Sequence, residues 1–63
     1  MLYVYEVSLR HKNFPGDVHD PWVIARTISE AQRKVAVYVK AHCAAPSMME
    51  IVAVERKGEV AVP

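Results

Sequence analysis

The chain has a single cysteine, Cys43, so it forms no internal disulfide, and a four-cysteine zinc fold is excluded. Glycine is scarce: Gly16 and Gly58 are the only two, and no glycine-rich loop exists to cradle a phosphate. No charge of one sign dominates, because eight Lys+Arg stand against seven Asp+Glu, for a formal net charge of +1. No apolar run approaches the roughly 18–20 residues that span a bilayer. The opening Met1-Leu2-Tyr3-Val4-Tyr5-Glu6 has no basic segment ahead of an apolar one, as a secretory leader would. The expectation is a cytoplasmic protein with a reduced thiol and no membrane partner. What is abundant is apolar surface, since 52% of the 63 residues are hydrophobic. That is too apolar for a disordered chain and too short for two domains, so residues 1–63 are expected to form a single domain. So small a domain buries only about 60% of the surface of its unfolded chain. Without disulfides, association is the expected source of added stability.

Leu2 to Arg10 alternates as a strand does, with Tyr3, Tyr5, Val7 and Leu9 apolar throughout. His11 to Pro21 reads as a loop, with turn chemistry at Pro15-Gly16-Asp17 and a backbone restriction at Asp20-Pro21. Trp22 to Thr27 reads as a second, antiparallel strand. Thr27 or Ser29 can cap a helix that runs to about Cys43 and is stopped by Pro46. At about 100° per residue, Ile28, Ala31, Val35, Tyr38, Val39 and His42 share one sector of it. Met48 to Arg56 reads as a third strand, Lys57-Gly58 as a tight turn, and Glu59 to Val62 as a short fourth strand. The predicted fold is α+β: a single helix on one face of a three- to four-stranded antiparallel sheet, in the order β-β-α-β-β.

One helix covers one face of a sheet, yet the strands carry apolar residues on both. Val23 and Ala25 alternate with Trp22 and Ile24, and Met49, Ile51 and Ala53 with Val52 and Val54. Leu2, Val4, Trp22 and Ile24 are therefore expected to form an apolar patch on the open face, of the kind that marks a partner surface. The competing expectation is that the 11–21 loop folds back over this face, with Phe14 or Val18 as the plug. On the helix, Val37 lies with Arg33 and Lys40 outside the apolar sector, a candidate second surface.

Catalytic and metal chemistry find little support. His11, Asp17, His19 and Asp20 crowd the loop, but their spacing matches no metal motif. Adjacent helix positions do not face one another, so His42 does not activate Cys43, which also sits at the helix end where the dipole disfavours a thiolate. Glu6, Glu50, Glu55 and Glu59 are dispersed over strands, whereas glycoside chemistry needs two carboxylates facing across a cleft. No enzyme activity, metal or cofactor is expected. The basic residues Arg10, Lys12, Arg33, Lys40, Arg56 and Lys57 form small clusters, which makes a nucleic-acid-binding regulator the alternative, with Tyr3, Tyr5 and Trp22 as stacking platforms.

The stretch Val23-Ile24-Ala25-Arg26-Thr27-Ile28-Ser29-Glu30-Ala31, a helix, and then Met49-Glu50-Ile51-Val52-Ala53-Val54-Glu55 resembles small β-β-α-β accessory proteins of bacteriophages, some of them anti-CRISPR inhibitors. The resemblance covers roughly residues 22–60. It implies a non-enzymatic protein that binds and modulates or inhibits a host protein complex in the host cytoplasm. The small size and apolar excess add the expectation of a homodimer. A structural subunit of a larger assembly is a further alternative. The residues expected at the partner surface are Leu2, Val4, Trp22, Ile24, Arg33, Val37 and Lys40.

Overall fold

The computed structural model describes residues 1–61. Leu2–His11 forms β1, and its alternation decides its two faces: Tyr5, Val7 and Leu9 are buried, while Val4, Glu6 and Ser8 are half-buried. The chain turns through residues 12–17 and returns as β2, Val18–His19, and β3, Trp22–Ala25. Both hold one register against β1, with Leu9 opposite His19 and Tyr3 opposite Ala25. Between them the Val7 N–H still donates to the Pro21 carbonyl at 3.0 Å. β2 and β3 are thus one strand broken at Asp20-Pro21, where proline supplies no N–H and restricts the residue before it.

After β3, α1 spans Ile28–His42. Thr27 is its N-cap: the Thr27 Oγ1 accepts from the Glu30 N–H at 3.1 Å, which satisfies a donor the helix itself leaves unpaired. Thr27→Ala is expected to cost about 1 kcal/mol, read as a lowered thermal midpoint. The buried stripe is Ala31, Val35 and Val39. Val35 and Val39 pack with Val7 and Leu9, and Ala31 with Tyr5 and Ala25. Ile28 and His42, expected in this stripe, are exposed at the first and last positions of the helix, and the His42 ring instead lies 4.8 Å from that of Tyr38. The helix ends at Cys43, whose N–H bonds the Val39 carbonyl, and Pro46–Met48 forms a single 3₁₀ turn.

β4, Met49–Val60, pairs with the other edge of β1. The fold is α+β, with one helix on a four-stranded antiparallel sheet whose central strand is β1. The fourth strand arises differently from the expectation. Lys57-Gly58 makes no turn, and β4 runs on through Gly58, opposite Val4, to Val60, opposite Leu2. Val62, the end of the expected fourth strand, lies outside the described residues. The physical reason is the length of β1: staying extended pairs residues 58–60 with its first residues, which a turn at Gly58 would leave without partners on that side. Gly58 has no positive φ, and nothing lies near an added Cβ. Gly58→Val is therefore expected to shift stability by no more than about 0.5 kcal/mol, whereas a glycine-dependent turn would lose more. Urea denaturation decides between them.

Register shifts fall between Val4 and Tyr5 and between Ser8 and Leu9 of β1, leaving Lys57 and Val52 as the extra residues of two bulges in β4. The bulge at Val52 overturns the expected facing of this strand. Ile51, opposite Leu9, and Val54, opposite Val7, share the helix side, and Ala53, opposite Ser8, shares the open side. The radius of gyration is 12.2 Å, against about 10.6 Å for a compact chain of this length. The molecule is drawn out to 42 × 19 × 15 Å.

Candidate functional site

Directly opposed residues of an antiparallel pair share a face. Val4 lies opposite Ile24 and Glu6 opposite Trp22, so Leu2, Val4, Trp22 and Ile24 come together on the face away from α1. Leu2 and Val4 are half-buried, while Trp22 is 62% and Ile24 46% exposed. Val60, opposite Leu2, extends the apolar end of this face.

The middle of the face is polar and ordered. The Trp22 indole N–H donates to Glu6 Oε2 at 2.8 Å. Lys57 Nζ lies 3.8 Å from Glu6 Oε1 and 3.2 Å from Glu55 Oε2, bridging two carboxylates that sit opposite each other on β1 and β4. Exposed ion pairs add little stability. Their effect here is orientation, since Glu6 is anchored from one side and fixes the indole from the other. The sequence contained this signal only in part. Glu6 stands at a sheet-face position among apolar residues, but its partners depend on a register and on a bulge at Lys57 that no local pattern announces.

The 11–21 loop does not cover this patch. Phe14 is 65% exposed and lies against the His11 ring at 4.9 Å between centroids. His11 and Phe14 line a recess of about 340 Å³ with His42, Cys43 and Met49, which places them on the helix side. Val18 is opposite Arg10, at the far end of the open face, about 20 Å along β1 from Val4 at the strand rise.

The loop histidines and carboxylates do not converge. His19 Nε2 lies 3.0 Å from Asp17 Oδ1, and His11 Nδ1 accepts from the Asn13 N–H at 3.1 Å. Among the described residues no group of three or more His, Cys, Asp or Glu side chains is placed to hold a metal. Cys43 is half-buried against the Val7–Leu9–Val35–Val39 core.

The basic residues are divided among surfaces. Arg10 lies opposite Val18 at one end of the open face, and Lys57 is engaged by Glu6 and Glu55. Arg56 stacks over the Tyr3 ring, 4.7 Å from its centroid. Arg33 and Lys40 are exposed on α1 with Val37, and Lys12 is exposed in the loop. The structure does not assemble these six into one stripe.

A second apolar feature has no signature in the sequence. α1 packs over β1 and β3 and leaves β4 largely bare, with no fully buried residue in that strand. The result is a groove of about 520 Å³ between α1 and β4, floored by Leu9, Val35, Val39, Met49 and Ile51, with exposed Ala36 and Lys40 along it. Its cause is width: three strands abreast span more than the roughly 10 Å of one helix.

No helix among the described residues is long and apolar enough to cross a membrane. No protein-family model, curated protein or solved structure matches the chain.

Proposed function

We propose that the chain is a non-enzymatic binding protein that docks on a protein complex through the open face of its sheet. The observation that carries this reading is the pairing of Trp22 and Ile24, both solvent-exposed, beside Leu2 and Val4, with no segment of the described chain laid over them. Tryptophan is among the residues most enriched at interface hot spots. Here the indole is held by Glu6 before any partner arrives, which lowers the ordering cost of binding. Arg33, Val37 and Lys40 on α1 form the second contact surface. The resemblance to phage accessory proteins supports a bacterial host complex as the partner and its modulation or inhibition as the outcome.

The test is affinity capture from a bacterial lysate with quantitative mass spectrometry, wild type against Trp22→Asp. The expected result is a protein set retained by the wild type and lost with the variant. Retention of DNA or RNA instead, steeply weakened by salt and abolished by Lys40→Glu, would favour the nucleic-acid regulator.

A further inference from the structure

We propose that two copies of the chain associate reciprocally, Phe14 of each entering the α1–β4 groove of the other. This goes beyond the docking of the open face and uses the opposite side of the sheet, where the groove shares Lys40 with the second contact surface on α1.

The knob is built before it binds. The loop is closed by the Asp17 N–H on the Phe14 carbonyl at 2.9 Å and the His11 N–H on the Asp17 carbonyl at 3.3 Å. The Asn13 N–H on His11 Nδ1 and the ring contact with His11 fix the residues around it. The ring nonetheless remains 65% exposed. A hydrogen-bonded turn that presents an aromatic to solvent is an anchor of the kind that fills a partner's pocket, at low ordering cost.

The hole is on the same chain and at the same end. Met49 lines both the groove and the recess beside Phe14. A two-fold axis at this end brings each knob to the other's groove, the self-complementary arrangement of a closed dimer. Asp17, three residues after Phe14, is opposite in sign to Lys40 on the groove.

The chain leaves slightly more surface exposed than a compact fold of its mass. Its surface is 4432 Å², against about 4,100 Å² for a compact monomer of its mass, and its radius of gyration is high in the same sense. One knob per groove buries less than a standard interface of about 1,600 Å², so the dimer is weak and concentration-dependent.

Sedimentation velocity from micromolar to millimolar concentration tests it on four proteins: wild type, Phe14→Ala, Ala36→Glu and Trp22→Asp. Phe14 and Ala36 are exposed, so circular dichroism should report all four folded. The expected result is a reversible dimer of the wild type, weakened about tenfold or more by Phe14→Ala and by Ala36→Glu and unchanged by Trp22→Asp. A monomer at millimolar concentration overturns the proposal, as does a dimer indifferent to Phe14→Ala. A dimer broken by Trp22→Asp instead would place self-association on the open face. Loss of lysate capture with Trp22→Asp alone would leave the partner reading standing whatever the dimer does.

Discussion

Leu9→Ala is expected to remove a large part of the chain's stability at room temperature. A domain of this length has about 3–9 kcal/mol of stability, and truncating a fully buried leucine removes about 2–5 kcal/mol. Leu9 is 1% exposed and sits where three elements meet: β1 beneath, Val35 and Val39 of α1 above, and Ile51 of β4 beside it. Among the described residues the core has only seven buried members, and two of these, Ala25 and Ala31, are alanines. Little neighbouring volume is available to collapse into the space. Urea denaturation should show a large fall in midpoint with an unchanged slope. Val37→Ala, at a helix position 69% exposed, is the contrast and should stay within about 0.5 kcal/mol. A loss below about 1 kcal/mol for Leu9→Ala would mean that the core is not where β1, α1 and β4 place it.

Trp22→Asp should separate binding from folding. The indole is mostly exposed and contributes to the fold chiefly by its hydrogen bond to Glu6. A net hydrogen bond of this kind is worth about 0.5–1.5 kcal/mol, and an aspartate beside Glu6 adds some repulsion, partly relieved by Lys57. The stability loss should therefore be about 1–2 kcal/mol, less than that of Leu9→Ala. Partner affinity should fall far more. Removal of a central aromatic anchor costs 2 kcal/mol or more, roughly thirtyfold, and the new carboxylate must also be desolvated against an apolar patch. Trp22→Phe, which keeps the ring and loses the N–H donor, should retain a substantial part of the affinity.

The parts of the fold legible in the sequence were those set by short-range period. The two-residue alternation of Tyr3, Tyr5, Val7 and Leu9 and the i, i+4 recurrence of Ala31, Val35 and Val39 specify β1 and the inner face of α1. Thr27 ahead of Glu30 marks the helix start. The open-face grouping of Leu2, Val4, Trp22 and Ile24 followed from the same alternation, because β1 and β3 pair without a bulge. β4 defeated the same reasoning. Its extra residues Val52 and Lys57 shift the phase twice, and the shift at Val52 puts Val54 on the helix side with Ile51. Lys57-Gly58 carries turn-forming composition in a segment that long-range pairing with Leu2 and Val4 holds extended. The α1–β4 groove was illegible for a related reason: it depends on which two strands the helix lies over, a tertiary choice that no window of sequence records.

The central claim is that the open sheet face is a docking surface for a protein, and paired affinity capture tests it most directly. Wild type and Trp22→Asp, both shown to be folded, are used as bait at matched concentration in nuclease-treated lysate. The account predicts at least one protein complex enriched on the wild type and reduced roughly thirtyfold or more on Trp22→Asp. Equal recovery on the two baits, or no protein enriched on either, would contradict it.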